Sequence, residues 1–318
     1  MIDIKKSFFK LHIVFILTFG FLFLLGCTNN TNNIEDIEKT EYEYQEYISS
    51  IKSWQENRII GLKKNWLSLA GLFELQEGEN SFGASDSNDF VFPNPNTPDY
   101  IGTFIMEDGS VSVKINPDVK VKHNEDIVSE MALMNDQSGS PTVLELGSLR
   151  WYVIKRVDKV YIRLRDSENP DIEKLKKIDN YQLDTIWRLK AQYEPHMTTK
   201  IIETITTAGD PSRINSSGAV GFRINGQYYR LDVWALGESG RFQTIFADES
   251  SGLETYGAGR FIVIEKSEED GGYMIDFNKA YNPPCAFTEF ATCPIPPPQN
   301  RLPIKVTAGE KIPRDFVH

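Results

Sequence analysis

The clearest hairpin signal in the chain is the run Ala219-Val-Gly-Phe-Arg-Ile224, Asn225-Gly226, Gln227-Tyr-Tyr-Arg-Leu-Asp-Val-Trp-Ala235. Two segments rich in β-branched and aromatic residues flank an Asn-Gly pair. This pair favours a two-residue turn because both residues can adopt the positive φ angles that the turn requires. The run therefore predicts two antiparallel strands in the C-terminal half of the chain.

Similar patterns occur on both sides of this hairpin. Asp108-Gly109 separates the short apolar segments 104–107 and 110–115 in the same way, and two further turns separate strand-like runs at 149–155 with 160–165 and at 261–265 with 273–277. Short strands at this density are typical of sandwiches and barrels. We predict a mainly β chain with an N-terminal helix, a β-sandwich-like first body, and a second β-rich sandwich or barrel.

The predicted helix runs from about Ile34 to Leu62. Its apolar face is marked by side chains at helical spacing, namely Tyr44, Tyr47, Ile48, Ile51, Trp54 and Arg58. A second, short helix is predicted between Pro170 and Ile178. From composition and polar breaks we predict five segments: 1–26 a lipoprotein signal peptide, 27–33 a flexible tether, 34–66 a helical segment that docks on the body, 67–140 a β-sandwich-like domain, and 141–318 a C-terminal β-rich domain with a Pro-rich loop.

The N-terminus has the pattern of a bacterial lipoprotein. A basic start with Lys5, Lys6 and Lys10 precedes an apolar run that ends in Leu24-Leu25-Gly26-Cys27. This run has the length of a signal-peptide core and is short for a membrane span. We expect cleavage before Cys27 and acylation of its thiol (by palmitate and related chains), which would anchor the protein to the bilayer. The predicted location is the cell envelope, with the body outside the cytoplasm, on the outer membrane if the cell has one. The alternative is an uncleaved N-terminal anchor.

The charge and the cysteine count limit the partners. The net charge is −11, and it becomes −13 once residues 1–26 are removed with their three lysines and one aspartate. A body this acidic disfavours nucleic acid as a partner. The remaining cysteines, Cys285 and Cys293, could form a disulfide or stay as two separate buried thiols. Since few histidines accompany them, we expect no metal and no cofactor.

Residues 81–92, from Ser81-Phe-Gly83-Ala84 to Asn88-Asp89-Phe-Val-Phe92, resemble the opening of a forkhead-associated domain. In that family the residue after the glycine is usually an arginine that holds phosphate, and here it is Ala84. The resemblance therefore implies a shared sandwich scaffold and puts a phosphothreonine site in doubt.

The residues that could carry chemistry concentrate in the C-terminal third. Asp276-Phe-Asn278-Lys-Ala-Tyr281-Asn282-Pro-Pro-Cys285-Ala-Phe287 and Asn300-Arg301-Leu-Pro303 resemble the domain of unknown function 1684 family, as do Thr255–Phe261, Trp66–Leu69 and Leu144–Trp151. That resemblance implies no reaction, substrate or cofactor. The candidate site residues, chosen for their carboxylate, guanidinium, amide and phenol groups, are Asp248, Glu254, Tyr256, Arg260, Asp276, Asn278, Tyr281, Asn282, Asn300 and Arg301.

Three interpretations of these residues remain open. They could form a structural clasp that satisfies the polar groups of a long loop, they could line a pocket for a small-molecule or peptide ligand, or they could catalyse a reaction. Our leading hypothesis is a membrane-anchored envelope lipoprotein that acts as a binding or assembly module. The alternative is a hydrolase that uses a carboxylate, tyrosine and arginine pocket in the C-terminal domain.

Overall fold

The computed structural model describes residues 30–93, 96–156, 158–267 and 271–316. The predicted signal peptide and Cys27 lie outside these residues. The chain divides after Lys52 into two compact units, and each is described by itself. Helix α1 (Asn30–Asn65) begins in the first unit and ends in the second. Because α1 begins at Asn30, the described part of the predicted tether, residues 30–33, is helical.

The mainly β fold is confirmed, and its first body consists of two sheets. The first sheet has the order β1-β11-β10-β9-β6-β7 and the second has the order β3-β2-β4-β5-β8. Their strands are β1 (Leu69–Glu74), β2 (Gly78–Gly83), β3 (Phe90–Val91), β4 (Gly102–Glu107), β5 (Ser110–Ile115), β6 (Lys122–His123), β7 (Asp126–Ile127), β8 (Glu130–Leu133), β9 (Leu144–Leu146), β10 (Leu149–Arg156) and β11 (Lys159–Asp166).

One apolar core joins these two sheets. Phe82 of the second sheet lies edge-on to Trp151 of the first, with ring centroids 5.8 Å apart, and stacks on Phe104 at 4.1 Å. The alternation of buried and exposed positions along β10 and β11 shows that one face of their sheet points into this core. The first body is thus a β-sandwich held by aromatic packing.

The polar break at residues 135–142 does not end this body. We predicted that a new domain begins at residue 141, but β9, β10 and β11 follow the break and belong to the sheet of β1. Leu69 pairs with Arg165 and Phe73 with Ile162 across β1 and β11. The physical reason is that β1 needs an antiparallel partner, and the hairpin that follows the break supplies it.

The second β-rich part is a closed barrel of six antiparallel strands. Its strands are β12 (Arg188–Ile205), β13 (Pro211–Ile224), β14 (Gln227–Ala235), β15 (Phe242–Phe246), β16 (Arg260–Lys266) and β17 (Tyr273–Asp276). The barrel closes where residues 188–191 of β12 pair with residues 273–276 of β17. Asn225 and Gly226, with φ angles of 50° and 80°, form the predicted turn between β13 and β14.

Short helical segments lie between some of these strands and after the last one. The predicted second helix is α2 (Pro170–Lys174), which begins with Asn169 as its N-cap. Single turns of 3-10 helix occur at Asp136–Ser138, Thr185–Trp187, Phe277–Lys279, Pro284–Ala286, Pro298–Asn300 and Arg314–Phe316.

A small apolar cluster lies at the C-terminal end of α1. Leu62 and Leu67 are fully buried there with Phe287 and Phe316, and Tyr256 packs against them. The end of α1 and the loop after the barrel therefore share one core.

Candidate functional site

The guanidinium of Arg260 lies at the centre of a buried polar network, which we call the Arg260 network. Arg260 is 1% exposed. Its Nη2 lies 3.3 Å from Asp248 Oδ1 and donates to the carbonyl of Val306 at 3.3 Å. Its Nη1 donates to the carbonyls of Ala308 and Glu310. Burial lowers the pKa of Arg260, and the neighbouring Asp248 carboxylate acts against this change.

Other donors occupy the carboxylate of Asp248. The backbone N–H of Val306 donates to Oδ2 at 2.7 Å, and the hydroxyl of Ser250 donates to the same oxygen at 2.8 Å. The hydroxyl of Ser251 donates to Oδ1 at 3.2 Å. A carboxylate that accepts this many bonds in a buried site has little capacity left for proton transfer to a substrate.

A second network, the Glu310 network, consists of Arg58, Asn282 and Glu310. Arg58 Nε lies 3.2 Å from the Glu310 carboxylate, and Arg58 Nη2 donates to the carbonyl of Asn282 at 2.6 Å. The backbone N–H of Asn282 donates to Glu310 at 2.7 Å. The Arg58 guanidinium also lies over the ring of Tyr281, 4.8 Å from its centroid. Burial raises the pKa of Glu310, although Arg58 and Asn282 oppose this rise.

Two asparagines hold the barrel to the loops around it. Asn300 Nδ2 donates to the carbonyls of Asp232 and Ile245 and to the hydroxyl of Thr244, and its Oδ1 accepts from the N–H of Asp232. Asn278 Nδ2 donates to the carbonyl of Asp184, and Asn278 Oδ1 accepts from the backbone N–H of Asp184. These amides join segments of the chain that are far apart in sequence.

The carboxylate of Glu254 lies in a third, partly exposed group. Tyr181 donates to it at 3.0 Å, and Lys305 forms an ion pair with it. Burial and the Glu254 carboxylate raise the pKa of Tyr181 to about 12. The phenol therefore keeps its proton and acts as a hydrogen-bond donor.

A histidine, a serine and an aspartate also meet, at an irregularity in β12. His196 Nε2 lies 3.3 Å from Ser216 Oγ and 3.7 Å from Asp232 Oδ1. The same ring nitrogen faces both partners, and Ser216 donates to the carbonyls of Gly218 and Val233. A nucleophile and an orienting acid would have to contact opposite nitrogens of the ring, so this group is structural.

The structure thus separates the predicted site residues. Asp248 and Arg260 come together, but both are buried, as are Asp276, Asn278, Asn282 and Asn300. Glu254 and Tyr281 bind to neighbouring side chains. Tyr256 and Arg301 line open cavities. The contribution of Arg58 was missed: its place in the aromatic stripe of α1 was the signal in the sequence.

The first open cavity, which we call the proline groove, has a volume of about 510 Å³. It lies between the ends of β12 and β13 and the Pro-rich segment. Its walls combine apolar side chains with charged ones: Ile205, Ile295, Pro296, Pro298, Arg213 and Arg301. Arg213 Nη2 lies 3.8 Å from the carboxylate of Glu203, and both side chains are mostly exposed.

Gly259 allows the Pro-rich segment to pack closely on the barrel. Its φ angle is +85°, and a Cβ at this position would lie 2.6 Å from the carbonyl oxygen of Phe246 and would overlap Pro296. A side chain here would displace one wall of the proline groove.

The second cavity, which we call the thiol pocket, has a volume of about 320 Å³. Tyr256, Thr207 and Glu289 line it together with Cys285. Cys285 is partly exposed, Cys293 is buried, and both are free thiols.

Two further observations concern metal ligands and membrane-spanning helices. In the described part of the chain, no group of three or more His, Cys, Asp or Glu side chains is placed to hold a metal ion. Among the helices that the structure describes, none combines the length and the apolar composition needed to cross a membrane.

Comparison with known proteins confirms the family resemblance over part of the chain. Residues 173–311 match the model of a family described as protein of unknown function, DUF1684. This segment contains the barrel, the Arg260 network, the proline groove and most of the thiol pocket. The motifs Trp66–Leu69 and Leu144–Trp151, which we also compared with this family, lie outside the matched residues.

The chain is also similar to several solved structures. One of them is the solution NMR structure of the uncharacterized protein from gene locus rrnAC0354 of Haloarcula marismortui, with 29% sequence identity over 46% of this chain and 80% of that chain, and a TM-score of 0.37. No curated protein matches this chain. Neither description states a ligand or a reaction.

Proposed function

We propose that this protein is a lipid-anchored envelope protein whose C-terminal body binds a small molecule or a peptide in the proline groove. One observation carries the binding part of this proposal. The side chains of Asp248 and Arg260 are buried and bind to each other, whereas the proline groove is open and the side chain of Arg301 lies in its wall.

The Arg260 network argues against a hydrolase that uses Asp248 and Arg260. A general acid or base must come within hydrogen-bond reach of the substrate, and Asp248 is surrounded by Ser250, Ser251 and Val306. These contacts favour the structural clasp for this part of the chain. We therefore assign the binding role to the proline groove and not to the Arg260 network.

The walls of the proline groove define the chemistry of the ligand. A volume of about 510 Å³ lies within the range of ligand pockets in proteins. Pro296 and Ile205 offer apolar contact, and Arg301 offers a guanidinium group suited to a carboxylate or phosphate. The ligand class is therefore an amphipathic molecule that has an acidic group.

The binding test uses the full chain in detergent and two short fluorescent peptides of equal apolar content. One carries a free C-terminal carboxylate and the other a C-terminal amide. We expect tighter binding of the carboxylate peptide by fluorescence anisotropy, and about tenfold weaker binding by Arg301→Ala because one guanidinium contact is lost. The matched control is Arg150→Ala, which removes an exposed arginine from the sandwich. Equal binding of both peptides, or equal loss in both variants, would contradict the proposal.

Lipid anchoring is supported by the sequence around Cys27 and is tested separately. We expect Cys27→Ser to abolish incorporation of a labelled fatty acid and to leave the uncleaved precursor. Membrane fractionation and the intact mass of the protein measure both effects. Normal processing of the variant would show that the cysteine is not the acylation site.

A further inference from the structure

The two cysteines of the C-terminal body differ in how far solvent can reach them. Cys285 is partly exposed and lines the thiol pocket, whose volume is about 320 Å³. Cys293 is 5% exposed. The two residues are neighbours in space, because the backbone N–H of Cys285 lies 3.4 Å from Cys293 Sγ. Cys285 therefore lines the pocket, and the buried Cys293 lies next to it.

The surrounding backbone holds this pair in place. Thr207 N donates to the carbonyl of Cys293 at 2.8 Å, and Cys293 N donates to Thr207 Oγ1 at 3.3 Å. The hydroxyl of Tyr256 donates to the carbonyl of Cys285 at 3.2 Å. Three hydrogen bonds therefore join Cys293 to Thr207 and Cys285 to Tyr256 in the folded protein.

We propose that Cys285 and Cys293 form a thiol–disulfide exchange site, in which Cys285 attacks a low-molecular-weight disulfide that enters the thiol pocket and Cys293 completes the exchange. This site does not depend on the proline groove. Its substrate class is a small organic disulfide, with oxidised glutathione as the probe.

The reaction balances in two steps. Cys285 loses its proton to solvent, and its sulfur forms a bond to one sulfur of the small disulfide, so that the other leaves as a thiolate and takes up a proton. The Cys293 sulfur, deprotonated in turn, then bonds to Cys285 Sγ and expels the second small thiol. The protein loses two electrons and two protons, and the small disulfide gains them as two thiols.

The electrostatics of the pocket assign the two roles. A hydrogen bond from the Cys293 side chain lowers the pKa of Cys285, with help from the side chains of Tyr256 and Thr207, and outweighs the effect of burial. The thiol of Cys293 has a raised pKa because it gives this hydrogen bond and because it is buried. Since the thiolate is the attacking species, Cys285 should react first.

Trypsin provides a direct measurement. Cleavage after Lys279 and after Arg301 releases both cysteines on one peptide, residues 280–301, while Cys27 lies on another. The reduced full chain in detergent is treated with oxidised glutathione, the remaining thiols are alkylated, and the digest is analysed by mass spectrometry. We expect the 280–301 peptide to lose two hydrogen atoms and to escape alkylation.

Two single variants separate the roles of the cysteines, with circular dichroism as the control for folding. In Cys293→Ala the mixed disulfide between Cys285 and glutathione should accumulate, because no second thiol can release it. In Cys285→Ala the buried Cys293 should react at least tenfold more slowly than Cys285 does in Cys293→Ala. Equal reactivity of the two single variants would overturn the assignment. A 280–301 peptide that stays fully alkylated in the native chain would overturn the exchange site itself.

Discussion

The sandwich core and the Arg260 network are equally buried but are held by different forces. Phe82, Phe104 and Trp151 pack ring against ring in the sandwich, where contact is the main stabilising interaction. Arg260 and Asp248 are buried to the same degree, yet each of their polar atoms depends on a partner in a fixed direction. Apolar packing tolerates a change of shape at constant volume, whereas a buried ion pair requires its own geometry.

The largest expected loss of stability comes from removal of the Arg260 guanidinium. Arg260→Met should lower the free energy of unfolding by about 3–5 kcal/mol, because Asp248 would keep a buried charge without its partner. Urea denaturation followed by circular dichroism measures this loss. The control is Arg230→Met, whose ion pair with Glu194 is partly exposed and should contribute less than about 1 kcal/mol. Equal losses in the two variants would remove the distinction between buried and surface pairs.

Conservative substitutions should give the next largest difference in stability loss between the Arg260 network and the sandwich core. Arg260→Lys keeps the charge, but a single ammonium cannot reach Asp248 and three carbonyls, so we expect a loss of about 2 kcal/mol or more. Leu164→Met in the sandwich keeps the volume and should cost less than about 1.5 kcal/mol. The same denaturation measurement applies. A smaller loss for Arg260→Lys than for Leu164→Met would reverse the comparison.

The Glu310 network should also respond to pH in a way that the sandwich does not. Since burial raises the pKa of Glu310 above its ordinary value of 4.5, folding favours the protonated carboxyl. The stability that the protonated form contributes is present below pH 4.5 and is lost as the pH rises through the folded-state pKa.

We compare the free energy of unfolding of the native chain with that of Glu310→Gln. The difference, native minus variant, should fall as the pH rises above 4.5 and through the folded-state pKa, by at most about 1.4 kcal/mol for each pH unit. Glu130→Gln, at an exposed position of β8, is the matched control. A difference that grows with pH would show that Arg58 and Asn282 outweigh burial.

The smallest effect should be the same in both regions. Asp108 in the sandwich and Asn225 in the barrel each have a φ angle of 50° and precede a glycine. Substitution by alanine should cost about 1 kcal/mol at either turn, because alanine lacks the side-chain oxygen that helps Asp and Asn adopt this conformation. Thermal denaturation of the two variants measures it. Unequal losses would mean that the surrounding body, and not the local backbone, determines the cost of the turn.

These turns were among the parts of the fold that could be predicted from the sequence. Asp108-Gly109 and Asn225-Gly226 act within a few residues, so the local pattern is sufficient. Barrel closure by β12 and β17 could not be predicted, since it joins strands that lie far apart in the chain. The boundary near residue 141 was misplaced for the same reason, because β1 pairs with β11.

The candidate site shows the same limit. The residue types around Asp248 and Arg260 were identified, and so was their concentration in the C-terminal third. Their partners were not, because Arg260 binds the carbonyls of Val306, Ala308 and Glu310, and a backbone carbonyl leaves no trace in a sequence. The kinds of side chain in the candidate site could thus be predicted from the sequence. Their burial and pairing could not, because these depend on main-chain carbonyl groups.

The late position of residues 306–310 has a consequence for the order of folding. Arg58 and Glu310 are 252 residues apart in sequence, so their ion pair forms only after nearly all the chain is available. Until then, Arg58, Asp248 and Arg260 remain hydrated, and the barrel around them cannot close without burying unpaired charge. The barrel would therefore stay open, and accessible to chaperones and proteases, until residues 306–310 are in place, and their docking would commit the chain to its native state.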